Sequence, residues 1–83
     1  MHPYHIELLE SALVAREREL CEYQVNIDNF RLAINRAGND PDLQEFKAQL
    51  QNLLASSLLE QKKSQIMYDV IKYQLEDSAC TVA

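Results

Sequence analysis

The sequence predicts an all-α protein: an antiparallel two-helix hairpin of coiled-coil type that dimerises into a four-helix bundle. Three observations predict it. The 83-residue chain holds one glycine and two prolines, so helix-breaking positions are confined to its start and its middle. Apolar residues recur in a seven-residue pattern, the mark of a packed helical seam and not merely of a helix. More apolar side chains are present than one such seam can absorb.

The first helix is expected from about residue 3 to 37. Pro3 punctuates the backbone at its start. From Ile6 one row of seven-residue steps reads Ile6, Leu13, Leu20, Ile27 and Ile34, and a second reads Leu9, Arg16, Tyr23, Phe30 and Ala37. Arg16 is the one charged residue in these rows, so the pattern holds for more than four repeats. The turn is expected over 38–41, where Gly38 can adopt the left-handed conformation that ends a helix. Asp40 can then cap a new helix, with Pro41 in its first position and Asp42 at the positive end of its dipole. So short a connection makes the flanking helices antiparallel neighbours.

The second helix is expected over about 41–76, followed by a loose tail over 77–83 where the periodicity fades. Its frame runs through Leu43, Phe46, Leu50 and Leu53 and returns at Met67 and Ile71, with Ser57, Glu60 and Ser64 between. Folding the hairpin at Asn39 and Asp40 sets residues whose numbers total about 80 side by side, which brings Arg16 to Ser64 and Glu60. The expectation is a polar layer of Arg16, Ser57, Glu60 and Ser64, with the Tyr23 hydroxyl available to it, that fixes register at some cost in stability. The alternative is that Arg16 runs its aliphatic stem along the seam and leaves its charge in water.

A hairpin covers one face of each helix. On the first helix Val14, Cys21, Val25 and Leu32 form a further apolar stripe about a third of a turn from the seam, and on the second Ile66, Val70 and Tyr73 exceed what the seam needs. These seven residues are the expected protein interface. Burying each at roughly 1.5–3 kcal/mol would reinforce a chain whose own core supplies only about 3–5 kcal/mol. A homodimer follows, with a further protein partner for the remaining patch; Met67, Tyr68 and Tyr73 suit such contacts because Met adapts its shape and Tyr carries a polar tip.

Composition narrows the function. A net charge of −5, from 13 acidic and 8 basic residues, argues against a nucleic-acid partner, which calls for a clustered basic face. Charges interrupt every apolar run, so no membrane span is expected. No signal peptide is expected, and Cys21 and Cys80 are expected as reduced thiols in a cytoplasmic protein. His2, His5 and Cys80 fall short of the four ligands of a structural metal site, so no metal or cofactor is expected. Glu7 with Glu10 and Glu19 with Glu22 lie on a solvated helix with no pocket, so no catalysis is expected either.

The turn Gly38-Asn39-Asp40-Pro41, followed by Leu43-Gln44-Glu45-Phe46 and a Tyr-bearing C-terminal helix, resembles the small hairpin co-chaperones of type III secretion needle subunits. The resemblance covers the latter half of the chain, and the second helix is longer here. It implies a heteromer with another helical chaperone, and no functional residue is transferred by it. The residues themselves lead to a non-enzymatic module: a self-associating adaptor or inhibitor of the kind common among small bacterial and bacteriophage proteins.

Overall fold

The computed structural model describes the backbone over residues 3–81 and the side chains over 4–77. Helix α1 spans Pro3–Ala37, a short 3-10 turn spans Pro41–Leu43, and helix α2 spans Gln44–Thr81. No strand occurs among the described residues. α2 thus continues about one turn beyond the position where the apolar periodicity fades, through the backbone of 77–81; Val82 and Ala83 lie outside the described residues. Helical hydrogen bonds need no apolar face to propagate once a long helix has been nucleated.

The reversal is built from backbone groups that a helix end would otherwise leave unpaired. Gly38 takes φ +55°, and its N–H donates to the Ile34 carbonyl at 3.3 Å, closing α1. Asp40, in extended conformation, accepts from the N–H of Asp42 through its side chain at 3.0 Å and so caps the 3-10 turn. Two side chains from α2 reach back over the end of α1. Lys47 Nζ donates to the Gly38 carbonyl at 2.9 Å, and Gln44 Nε2 donates to the Asp40 carbonyl at 2.7 Å. The cation of Lys47 also sits at the negative end of the α1 dipole.

The hairpin is a rod of 63 × 14 × 14 Å with a radius of gyration of 18.6 Å. A compact chain of this length has a radius near 12 Å. Its core is correspondingly thin. Among the described residues only Ile27, Ala37, Leu50 and Ile71 are buried apolar groups, with Ser64 buried among them, and Ile27 alone is nearly sealed, at 1% exposure. The remaining seam residues are half-buried, because a neighbour on one side cannot enclose a side chain completely.

A Cβ added at Gly38 would meet only the Asn35 carbonyl, at 3.9 Å, so any penalty there is one of backbone conformation and not of space. Gly38→Ala is expected to cost about 1–2 kcal/mol. Thermal unfolding followed by circular dichroism should show a fall in Tm of about 4–15 °C; an unchanged Tm would mean that the turn does not depend on the left-handed residue.

Candidate protein interface

The seam on α1 is made by the two rows that start at Ile6 and Leu9, and every one of their residues is buried or half-buried. On α2 the structure uses one expected row and replaces the other. Leu50, Ser57, Ser64 and Ile71 face α1, but their companions are Lys47, Leu54, Gln61, Tyr68 and Leu75, one position beyond the expected Phe46, Leu53, Glu60 and Met67. Leu43, at the head of the shared row, is exposed in the turn. One residue is about 100° around a helix. Phe46, Leu53 and Met67 therefore leave the interior and stand 48%, 50% and 43% exposed on one flank of the rod.

The register is shifted as well. Gln61 Nε2 donates to Gln24 Oε1 at 2.9 Å, Ser64 Oγ to Glu19 Oε2 at 3.2 Å, and Tyr68 Oη to Glu17 Oε1 at 3.4 Å. Facing residues thus have numbers that total 83–85, because the 3-10 turn moves the point of reversal from Asp40 to about residue 42. A polar layer forms, but its centre is Glu19 and not Glu60. Arg16 Nη1 pairs with Glu19 Oε2 at 2.8 Å, the Tyr23 hydroxyl donates to Glu19 Oε1 at 3.5 Å, and Ser64 donates across from α2. Glu60 pairs instead with Lys63 at 3.1 Å, and Ser57 is half-buried in the seam away from this cluster. A two-residue error in the point of reversal is enough to exchange one partner for the other, and Glu19 lay outside the rows read from the sequence.

Burial and the carboxylate charges of Glu19 and Glu60 raise the pKa of Tyr23 above its ordinary 10.0; its hydrogen bond to Glu19 adds to the rise, and Arg16 opposes it. The fold therefore favours the protonated phenol.

Outside the seam, the sequence-predicted interface residues of both helices are exposed. Val14, Val25 and Leu32 are 57–63% exposed and Cys21 carries a free, exposed thiol. Ile66, Val70 and Tyr73 are exposed on α2. The structure does not bring the two sets together: each lies on its own helix, turned from the seam. Arg18, Cys21, Glu22, Val25 and Asn26 line a shallow depression at the middle of the α1 stripe. Phe46, Leu53 and Met67 extend the apolar surface to a flank that the sequence frame had assigned to the interior.

No group of three or more His, Cys, Asp or Glu is placed to hold a metal ion among the described residues; His2 and the Cys80 side chain lie outside them. No described helix is long and apolar enough to cross a membrane. Compared with protein-family models, with curated proteins and with solved structures, the chain matches none.

The assignment of α2 faces can be tested by paired substitutions one residue apart. Leu54→Asp, which places a charge in the seam, is expected to cost at least about 2 kcal/mol, whereas Leu53→Asp on the flank should change chain stability by about 0.5 kcal/mol or less. Urea unfolding of both variants at low protein concentration checks this, and equal losses would contradict the rotation of α2. For Tyr23, the raised folded pKa means that its contribution to stability is fully present below pH 10 and is lost as pH rises through the higher folded value. Tyr23→Phe should flatten that alkaline decline in Tm; a decline of unchanged steepness would remove Tyr23 as its source.

Proposed function

We propose that this protein is a non-enzymatic protein–protein interaction module that self-associates as a homodimer of hairpins, four helices in all, and acts as an adaptor or inhibitor by presenting its remaining apolar surface to a second protein. The observation that carries this reading is the surface the hairpin leaves uncovered. The chain exposes 6307 Å², whereas a compact monomer of its mass exposes about 5,100 Å². The excess, about 1,200 Å², exceeds the roughly 800 Å² that each partner contributes to a standard interface. The exposed surface includes large apolar groups on the outer side of α1, the outer side of α2 and the Phe46–Met67 flank. Single exposed apolar residues are ordinary; rows of them on both helices of a thin-cored rod are what an interaction surface requires.

Three apolar regions suit an adaptor better than a simple dimer, since one can be closed by a second copy while the others stay open. A co-chaperone that works only as a heteromer is the competing reading. The same abundance on α2 favours it, because Leu59, Ile66, Val70 and Tyr73 add further exposed groups to those of the flank.

Light scattering of the purified chain separates the two. The expected result is a stable particle of twice the 9.6 kDa chain mass at micromolar concentration. Val25→Glu should reduce that mass towards the monomer while leaving most of the helical circular dichroism in place. A soluble wild-type monomer across the accessible concentration range would end the self-association reading, and solubility gained only with a co-expressed partner would establish the heteromer.

A further inference from the structure

The outer stripe of α1 has an internal symmetry that the hairpin does not use. Val14, Arg18, Cys21, Val25, Asp28 and Leu32 follow at steps of four, three, four, three and four, so all six share one side of the helix. Read from either end, the stripe gives apolar, charged, apolar, apolar, charged, apolar. Only the sign of the charge is reversed. Such a pattern is complementary to itself when two copies run antiparallel about a two-fold axis.

We infer that the second copy docks on this stripe, with the two α1 helices antiparallel about an axis at the level of residue 23, so that Arg18 of each chain meets Asp28 of the other. The inference rests on the self-association reading above and names the face and the orientation that serve it. In this register Val14 lies against Leu32 of the second copy and Cys21 against its Val25, while Glu10 is brought to Arg36 along the edge. The axis also brings the Glu22 side chains of the two copies towards each other, each held by Arg18 of its own chain at 3.2 Å. A slip of one heptad in one direction sets Arg18 against Cys21 and Leu32 against Glu7; a slip in the other sets Val25 against Asp28. Both slips bury a charge against an apolar group, so the charges select a single register.

The free chain is prepared for this contact. Arg18 and Glu22 pair at 3.2 Å with side chains 83% and 63% exposed, and among the described residues Asp28 accepts from the exposed Gln24 amide at 2.9 Å. Arg18 engages Glu22 through Nε, so its terminal nitrogens are left to reach a second carboxylate. The depression lined by Arg18, Cys21, Glu22, Val25 and Asn26 lies at the proposed axis, where knobs from the other copy would insert. The exposed row on α2 lacks the symmetry: pairing it antiparallel about Ile66 sets Lys62 against Val70. The resulting order of helices is α2, α1, α1, α2, which leaves the Phe46–Met67 flank of each copy uncovered.

Charge reversal tests the register through sedimentation equilibrium of the full chain. Arg18→Asp alone and Asp28→Arg alone should each weaken the homodimer at least about tenfold, because each replaces two attractive contacts by two repulsive ones. An equimolar mixture of the two variants should restore association to near the wild-type level, since each then supplies the charge the other lacks. Circular dichroism should show both variants as helical as the wild type. Where reversal costs helicity, Arg18→Gln and Asp28→Asn provide the milder pair, with a few-fold loss expected from each. A dimeric wild type whose association neither pair changes, or a mixture that fails to recover, would overturn this interface while leaving self-association intact. A wild-type chain that stays monomeric would overturn both.

Discussion

Two helices laid side by side can shield only one strip of each other, and that geometric limit governs everything else in this molecule. The seam provides a sealed site for Ile27 and partial cover for its neighbours, and it does so along the full length of a 63 Å rod. Lengthening such a hairpin adds seam and surface in proportion, so burial never outpaces exposure as it does in a compact domain. The apolar groups on the outer faces therefore have no resting place within the chain. The proposed function is the consequence of that surplus.

Within the seam, specificity comes from polar groups at its edges more than from the packing of apolar ones. Glu19 gathers Arg16, Tyr23 and Ser64, so a carboxylate at the margin of the core is met by a cation and two hydroxyls. The cross-helix bonds from Gln61, Ser64 and Tyr68 are long-lever contacts: slipping α2 along α1 by even one turn would break all three together. Most of these groups remain half-exposed, so each bond adds little to stability. Their collective effect is to make one alignment better than its neighbours.

The α1 stripe invites the same reasoning at the level of assembly. Apolar residues at its centre supply attraction without preference for direction, while Arg18 and Asp28 at equal distances from the midpoint would discriminate among registers. That division of labour is available because the hairpin seam leaves both charges in water, each tied to a neighbour on its own helix.

The sequence by itself determined the two helices, their antiparallel course and the full seam face of α1. Each follows from local physics: helix breakers occur only at the start and at Gly38–Pro41, and the rows from Ile6 and Leu9 have no apolar competitor of equal regularity on the same side. It also made the surplus on Val14, Cys21, Val25 and Leu32 legible, since a face left uncovered by a single neighbour can be read from spacing alone. Only the tertiary structure decided which side of α2 turns inward. The row through Leu50, Ser57, Ser64 and Ile71 belongs to two frames, and apolar residues populate both possible companions, Phe46, Leu53 and Met67 on one side and Leu54, Tyr68 and Leu75 on the other. Periodicity does not choose between the two sets, since each supplies three apolar members; the 3-10 turn and the reach of Lys47 to the Gly38 carbonyl accompany the second, and no spacing encodes their geometry. The same turn displaced the point of reversal by two residues and so gave Arg16 to Glu19 instead of Glu60.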